Sequence, residues 1–285
     1  MDKQPLVTIA ISAYNHELYI EESINSALQQ TYPNIELIVI DDGSTDSTPD
    51  IIEKLSMQHS FYFKRQKNEG LSSTLNKILA MAKGKYFAPL GSDDCILEHK
   101  TETQVVVMEV DNNIALCGGN IIEIDHTGKK STRTKLPKRR ELTFDDLFLN
   151  LKPGLPAPTL MYRTEHFKHV GGYESNIRLE DVYSELLLAY SGFKIVGLEE
   201  TLAYYRVHPN NTYKNYQFML DNVLQTFAMF KEAKTYETAK NKFLISMFVK
   251  VARKDKTIAK NILSQINPKY YSFRVIKGLY RLLTS

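Results

Sequence analysis

The most constraining feature of this 285-residue chain is a strand of buried type that ends in a cluster of carboxylates. Residues 37–46 read Leu-Ile-Val-Ile-Asp-Asp-Gly-Ser-Thr-Asp. Four consecutive branched apolar residues are typical of a strand buried on both faces, as in a parallel sheet. Ligands of open α/β sheets bind beyond the carboxyl ends of such strands, and Asp41, Asp42 and Asp46 follow at that point. The segment therefore predicts a polar binding site at a sheet edge.

The same segment also has a purely structural interpretation. Asp42-Gly43 is a good turn pair, and one of the hydroxyl residues after it could cap the next helix. This interpretation accounts for the glycine and the hydroxyls. It does not account for two adjacent acids at the end of a buried strand, where carboxylates without a partner are rare. We therefore expect a ligand site here.

Composition places the chain among ordinary soluble globular proteins. Hydrophobic residues make up 43% and charged residues 24%, which is ordinary for a soluble protein. The length of 285 residues allows one large α/β domain with an appendage or two small domains. Cys95 and Cys117 lie in unrelated contexts without metal-ligand spacing, as is typical of a reducing cytosol. The sequence shows neither a secretory leader nor an apolar run of the roughly 18 residues that a membrane span needs. We expect a cytoplasmic protein, with peripheral contact at the inner face of the cytoplasmic membrane left open.

Strands and helices alternate over the first hundred residues. Apolar runs predict the strands, and a 3.6-residue apolar period predicts the helices between them. Repeated βα units favour a mostly parallel, Rossmann-like sheet flanked by helices. The predicted strands cover residues 6–13, 35–40, 61–65, 86–90, 115–124 and 160–163, and the predicted helices cover residues 17–30, 49–58, 70–82 and 100–110.

The last 71 residues change in character. Residues 215–285 hold 13 Lys or Arg and 4 Asp or Glu, so this tail carries +9 while residues 1–214 carry −6. We therefore predict a catalytic domain over 1–214 and a basic helical extension over 215–285, with helices at 222–233, 239–252 and 270–283. The last of these mixes Tyr, Phe, Ile and Leu with the basic residues Lys269, Arg274, Lys277 and Arg281. It suits either a helix on an anionic membrane or a helical cap packed on the catalytic domain, and both interpretations stay open.

A series of short motifs in this order resembles glycosyltransferase family 2, the inverting nucleotide-sugar transferases. Each motif is weak alone, but their occurrence together in this order is highly specific, and together they span about residues 5–210. The resemblance implies the GT-A type of Rossmann-like fold that this family uses. The motifs are Tyr14-Asn15, Asp41-Asp42-Gly43-Ser44-Thr45-Asp46, Asn68-Glu69-Gly70, Gly84-Lys85-Tyr86 with Ser92-Asp93-Asp94, Val170-Gly171-Gly172-Tyr173, Glu180-Asp181 and Tyr205-Arg206-Val207-His208.

The resemblance implies a pocket for the nucleotide-sugar donor. Asp41 matches the residue that accepts a hydrogen bond from the base, commonly uracil N3–H, and a carboxylate there selects a pyrimidine nucleotide. The arginine often found five residues beyond Gly70 is Leu75 here, so one expected contact is missing. The donor-binding residues implied are Ala13, Tyr14, Asn15, Asp41, Asp42, Asn68, Gly70, Ser92, Asp93 and Arg206.

A divalent metal, Mn²⁺ or Mg²⁺, is the implied cofactor. Its charge offsets the negative charge that grows on the diphosphate leaving group, and oxygen ligands suit such hard cations. The resemblance gives Asp93, Asp94 and His208 as ligands. The first aspartate of the family's Asp-x-Asp motif is replaced by Gly91, although Asp94 could compensate. Alternatively, Asp93-Asp94 is a helix N-cap pair and His208 a surface histidine or a phosphate contact.

Glu180-Asp181 is the expected acid–base centre. Inversion requires an acceptor hydroxyl to attack opposite the leaving nucleotide while a base removes its proton. By resemblance Asp181 is that base, and Glu180 orients it or binds acceptor hydroxyls. The alternative is an acid pair at a helix N-terminus, stabilised by the dipole of the helix over 182–190.

The predicted activity is transfer of a sugar from a nucleotide diphosphate, with UDP-hexose expected, onto a hydroxyl of a glycan or glycolipid. The expected context is bacterial surface polysaccharide such as capsule or lipopolysaccharide, and no nucleic-acid partner is expected. A nucleotidyltransferase is disfavoured because no Gly-rich, basic phosphate loop follows the first strand. The other alternative is a catalytically weak nucleotide-sugar-binding partner protein, which gains support from Gly91 and Leu75.

Overall fold

The computed structural model describes residues 4–132, 136–209, 211 and 214–284. Strands and helices alternate over the first hundred residues, as predicted. The strands are β1 (Val7–Ala13), β2 (Ile35–Asp41), β3 (Tyr62–Arg65), β4 (Tyr86–Gly91), β5 (Cys95–Ile96), β6 (Ile114–Asp125), β7 (Arg140–Leu142), β8 (Met161–Arg163) and β9 (Lys194–Val207). The helices are α1 (Ile20–Leu28), α2 (Thr48–His59), α3 (Leu71–Met81), α4 (Lys100–Val110), α5 (Phe144–Phe148), α6 (Thr164–His169), α7 (Glu180–Tyr190), α8 (Tyr216–Ala228), α9 (Tyr236–Val251), α10 (Lys256–Gln265) and α11 (Phe273–Leu283).

The described strands form one nine-stranded sheet in the order β3-β2-β1-β4-β8-β6-β9-β5, with β7 paired to β9. The neighbours β3, β2, β1 and β4 are parallel, and so is the pair β6 and β9. β8 is antiparallel to both of its neighbours, β4 and β6. The predicted Rossmann-like α/β class is confirmed. The register places Ala13 opposite Asp41 and Ser12 opposite Gly91, so three strands end at the same sheet edge.

An apolar cluster fixes the parallel strands against the helices on one face. Ile9 and Ile11 of β1 and Val39 of β2 are fully buried, and they share a cluster with Ile24 of α1 and Ile52 of α2. Fully burying one such side chain contributes about 1.5–3 kcal/mol. The loops that connect these strands to the helices therefore begin at a rigid edge of the sheet.

The chain forms two compact units. The first comprises Met1–Thr143 and Gly154–His208 and holds the sheet, and the second comprises Phe144–Pro153 and Pro209–Ser285 and holds α5 and α8 to α11. The second unit has its own apolar core around Leu244, Phe248 and Val275. The division predicted after residue 214 stays a prediction. No feature of the sequence indicates that the segment with α5 belongs to the second unit.

The C-terminal helices begin at side-chain caps. Asn215 Oδ1 accepts from Phe218 N–H at 3.0 Å at the start of α8, and Asp255 Oδ1 accepts from Ile258 N–H at 2.9 Å at the start of α10. Such caps satisfy amides that have no partner within the helix. Among the residues that the structure describes, no helix is long and apolar enough to cross a membrane.

Candidate active site

Asp41, the last residue of β2, has one carboxylate oxygen without a hydrogen-bond partner among the described residues. Its Oδ2 accepts from Ser44 N–H at 3.2 Å and lies 3.5 Å from Arg65 Nε. Its Oδ1 is buried and has no hydrogen-bond partner among the described residues. An unsatisfied buried acceptor costs about 1–3 kcal/mol, so a ligand that donates a hydrogen bond here gains affinity. The geometry suits the predicted contact with a base N–H.

Asp42 differs from its neighbour because both of its oxygens already have partners. Oδ1 accepts from Gln66 Nε2 at 2.8 Å and from Glu69 N–H at 2.9 Å, and Oδ2 accepts from Gly70 N–H at 2.9 Å. These bonds fix the loop that carries Asn68 and the start of α3. Asp42 therefore positions the predicted donor segment, and its own contact with the donor stays a prediction.

The connection from β1 to α1 is joined to the connection from β2 to α2. Asn15 N–H donates to Ser44 Oγ at 2.9 Å, and Asn15 Oδ1 accepts from Thr45 N–H at 2.8 Å. The carbonyl of Ala13 accepts from Asp42 N–H at 2.8 Å, while the Tyr14 side chain is exposed. The predicted residues Ala13, Tyr14 and Asn15 thus border the same strand edge as Asp41.

Three potential metal ligands meet at the end of β4. His16, Asp93 and His208 each offer a ligand atom, and these atoms lie within 4.8 Å of one another. His208 Nε2 is 2.9 Å from Asp93 Oδ2. His16 Nδ1 is 2.7 Å from Ser92 Oγ, which orients the imidazole and leaves Nε2 for a metal. Two imidazole nitrogens and one carboxylate oxygen suit a first-row transition metal such as Mn²⁺.

His16 was missed by the sequence analysis, which considered Tyr14 and Asn15 but not the next residue. The signal was present, because a histidine just after the first strand lies at the edge where Asp41 and Asp93 end their strands. Burial lowers the pKa of His16 below its ordinary value, and the charge of Asp93 opposes this only in part. A neutral imidazole is the form that binds a metal.

Asp94 and Arg206 hold the end of β4 to the end of β9. Asp94 Oδ1 accepts from Arg206 N–H at 2.8 Å, and Arg206 Nε donates to the Asp93 carbonyl at 2.8 Å. Arg206 also pairs with Glu22 at 2.5 Å and lies over the Tyr19 ring at 4.9 Å. Burial raises the pKa of Asp94 well above its usual range, and the charge of Asp93 adds to that. Both side chains therefore position Asp93, and the predicted roles of Asp94 in metal binding and of Arg206 in donor binding stay predictions.

Little space is available for a side chain at Gly91. A Cβ at this position would lie 3.0 Å from a carboxylate oxygen of Asp93 and of Asp94. A third carboxylate here would crowd two others, and like charges at short range are unfavourable. His16 instead offers a neutral imidazole to this cluster from the connection between β1 and α1.

The loop before α7 is held against α3. Asn76 Nδ2 donates to the Tyr173 carbonyl at 2.6 Å, Asn76 Oδ1 accepts from Tyr173 N–H at 2.9 Å, and Ser72 Oγ donates to the Ile177 carbonyl at 2.6 Å. Gly172 has φ of +72°, and a Cβ there would lie 2.9 Å from Asn76 Oδ1. Because Ser72 lies in the first turn of α3, the start of α7 lies near the carboxyl edge of the sheet.

Glu180 and Asp181 form the first turn of α7. Burial and the charge of Asp181 raise the pKa of Glu180 to about 8, and burial raises the pKa of Asp181 as well. Asp181 Oδ1 accepts from Val182 N–H at 2.8 Å, which favours its ionised form. At neutral pH we therefore expect Glu180 to stay protonated, and the two carboxyls titrate as a coupled pair. A carboxylate with a raised pKa is suited to accept a proton.

A further buried acid, Glu185, was also missed by the sequence analysis. It lies one turn beyond Asp181, and its Oε1 accepts from Leu155 N–H at 3.0 Å. Burial raises its pKa well above the usual range, with a further contribution from the charge of Asp181. The four-residue spacing from Asp181 was the available signal, but Glu185 lies within an apolar helical run and was taken as part of it.

The site thus has three features along one sheet edge. They are the Oδ1 of Asp41, unpaired within the described part of the chain, the candidate metal ligands His16, Asp93 and His208, and the acid pair of α7. The predicted motifs contribute to all three, although their individual roles are not tested by this geometry. Residues 8–171 match the family model described as Glycosyl transferase family 2. The chain belongs to glycosyltransferase family 2.

Relatives and solved structures agree with this family. TuaG of Bacillus subtilis strain 168, named as a teichuronic acid biosynthesis glycosyltransferase, is 33% identical over 218 residues that cover 74% of this chain and 83% of TuaG. S. aureus TarS 1–349 in complex with UDP-GlcNAc is 17% identical, with a TM-score of 0.68, covering 98% of this chain and 90% of that chain. The mannosyltransferase PcManGT from Pyrobaculum calidifontis, in complex with GDP-Man and Mn²⁺, is 16% identical, with a TM-score of 0.63, covering 99% and 88%. The two structures confirm the predicted GT-A-type fold.

Proposed function

We propose that this family 2 glycosyltransferase is an inverting enzyme that transfers a hexose from a UDP-hexose to an acceptor hydroxyl. The observation that carries the proposal is the cluster of His16, Asp93 and His208 at the strand edge where Asp41 Oδ1 has no partner among the described residues. The cluster is placed for a metal–diphosphate group, and Asp41 for a base that donates N–H. That TarS was crystallised with UDP-GlcNAc supports a uridine donor.

The metal would be held by Asp93, His208 and His16, with Asp94 as the further predicted ligand. When bound, Mn²⁺ or Mg²⁺ would offset the negative charge of the diphosphate leaving group. Two nitrogen ligands favour Mn²⁺, because Mg²⁺ prefers an all-oxygen shell and keeps several waters. Ser92 would orient His16 toward the ion, and Arg206 would hold the backbone of Asp93 in place.

Asp181 would act as the base of the transfer. It would take the proton of the acceptor hydroxyl while the acceptor oxygen bonds to the anomeric carbon. The bond from that carbon to the diphosphate oxygen breaks at the opposite face, and its electron pair leaves with the UDP, so the configuration inverts. Glu180, protonated at neutral pH, would donate a hydrogen bond to Asp181 or to an acceptor oxygen.

The acceptor class follows from the relatives and from the basic tail. TuaG is named for teichuronic acid biosynthesis, which supports a role in surface polysaccharide synthesis for this chain. We propose a glycan or lipid-linked acceptor, with capsule and lipopolysaccharide as the specific contexts predicted. The enzyme would then work in the cytoplasm, at the inner face of the cytoplasmic membrane.

A catalytically weak nucleotide-sugar-binding protein is the second candidate. The specific observation in its favour is Gly91, which removes one carboxylate from the metal motif. Leu75 adds to this, since it is buried and replaces an arginine often found in the family. Release of the free sugar from UDP-GlcNAc in the presence of Mn²⁺ separates the two candidates, because a binding protein would not turn the donor over.

Calorimetry with UDP in Mn²⁺ and in chelator tests the metal and nucleotide assignments. We expect UDP to bind more tightly with Mn²⁺, and Asp93→Ala to abolish that gain without unfolding the protein. Glu232→Ala, at an exposed carboxylate in the second unit, is the matched control and should keep the gain. UDP at 100 times its Kd should stabilise the fold by about 2.7 kcal/mol. Equal affinity with metal and with chelator would contradict the metal assignment.

A further inference from the structure

Helix α11 has two apolar faces, and only one of them is packed. Val275 is 1% exposed, and Gly278 lies so close to the Phe248 ring of α9 that an added Cβ would collide with it. Arg281 Nη1 donates to the Val249 carbonyl at 2.7 Å. These contacts pack α11 onto α9 of its own unit, and the predicted alternative, a cap on the catalytic domain, stays a prediction.

The second apolar face of α11 is in solvent. It consists of Phe273, Ile276, Tyr280 and Leu283, which are 80%, 62%, 64% and 83% exposed. Residues at spacings of three, four and three lie on one side of an α-helix. We call these four side chains the outer face of α11. Monomeric proteins seldom expose a contiguous apolar strip of this kind without a partner.

Positive charge borders the outer face. Lys277 is exposed one turn beyond Phe273, Arg274 is exposed next to Lys277 on the helix surface, and Lys269 is exposed just before the helix. From Pro268 to Thr284 the sequence holds four basic residues and no acidic residue. A helix with this division into apolar and basic surfaces lies in the interface plane of an anionic bilayer.

We propose that the outer face of α11 docks on an anionic membrane surface while the inner face stays packed on α9. Packing on α9 and docking on a membrane are compatible, because they use different sides of one helix. The charge favours this occupant over a second copy of the chain, whose identical basic border would repel it. The strip also holds only four side chains, whereas a stable protein interface takes about 20–30 residues from each partner. The proposal does not depend on the enzymatic activity.

Tryptophan fluorescence offers a direct test, because the chain contains no Trp. Phe273→Trp in the full-length protein places the sole reporter on the outer face, and Met57→Trp places a matched reporter at a position of α2 that is 75% exposed. With vesicles that contain phosphatidylglycerol, we expect a blue shift for Phe273→Trp and none for Met57→Trp. Phosphatidylcholine vesicles should give a much weaker shift, and added salt should reduce the shift.

Co-sedimentation with the same vesicles tests the charge. Arg274→Gln with Lys277→Gln should weaken binding about 25-fold, since each basic residue near the surface contributes about fivefold. Lys54→Gln with Lys64→Gln, at exposed lysines of the first unit, is the control and should bind like the unchanged protein. All four positions are exposed, so the melting temperature should not change, and circular dichroism checks this.

Three results would overturn the proposal. The first is absence of binding of the unchanged protein to vesicles that contain phosphatidylglycerol. The second is a similar blue shift for Phe273→Trp and Met57→Trp. The third is a dimer in light scattering that Phe273→Ser with Ile276→Ser dissociates, because the outer face would then be an interface between copies.

Discussion

Asp41→Asn tests how the site selects a nucleotide, because it changes one functional group and almost no volume. Ser44 N–H and Arg65 Nε both point at Oδ2 in the native chain, so the amide oxygen of asparagine should take that place. The amide NH₂ would then occupy the place of Oδ1, which has no partner among the described residues. A donor would replace the acceptor that we expect uracil N3–H to meet.

The expected loss of UDP affinity follows from the replacement of an acceptor by a donor. A hydrogen bond to a charged group contributes about 1.5–3 kcal/mol, which corresponds to a roughly 10- to 150-fold change in affinity. In the variant, two donors would face each other, so the loss of UDP affinity should lie at the upper end. Cytosine carries an acceptor at N3, and CDP should therefore bind the variant better than UDP does.

Calorimetry with UDP and CDP in the presence of Mn²⁺ measures both changes. The native protein should prefer UDP, and Asp41→Asn should lose or reverse that preference while its melting temperature changes little. A variant that binds UDP within threefold of the native protein would refute the reasoning, because Asp41 Oδ1 would then not face the base.

Further predictions concern the acid pair, the metal cluster and the loop before α7. Glu180 has a folded pKa of about 8 against 4.5 in the unfolded chain, so the folded state binds more protons and the free energy of unfolding should fall as the pH rises between these values. Denaturant titrations at several pH values should show this decrease, and Glu180→Gln should make it smaller, while the raised pKa values of Asp94, Asp181 and Glu185 keep the rest. Ser92→Ala frees the His16 ring and should weaken Mn²⁺ binding roughly 10- to 100-fold by electron paramagnetic resonance titration, and unchanged affinity would exclude His16 as a ligand. Gly172→Ala should lower the free energy of unfolding by more than Gly192→Ala, since both positions have positive φ but only the first lies against Asn76; equal losses would contradict the packing account.

Much of the first unit could be predicted from local patterns. The apolar runs predict the parallel strands β1, β2 and β4, and the helix predicted over 100–110 has the bounds observed for α4. Asp41 was recognised because it directly follows such a run, whereas the role of Asp93 was implied by the family resemblance. These signals are contained within a few neighbouring residues, so no tertiary information was needed.

The remainder depended on contacts between distant segments. The long strand β9 was missed because Glu199 and Glu200 interrupt its apolar pattern, and its register against β6 shifts near that point. His16 was missed because its role arises only when the β1 connection meets the end of β4. The positioning role of Asp42 could not be predicted, because it depends on hydrogen bonds from Gln66 and Gly70.

The most direct test of the central claim is the anomeric configuration of the first product. Proton nuclear magnetic resonance can follow the turnover of UDP-GlcNAc, whose sugar is in the α configuration, with Mn²⁺ and water as the acceptor. An inverting enzyme must release the β anomer first, before mutarotation, and Asp181→Asn should slow that release by roughly 10²- to 10⁴-fold. Release of the α anomer first, or no turnover of UDP-GlcNAc, UDP-glucose or UDP-galactose, would contradict an inverting UDP-hexose transferase.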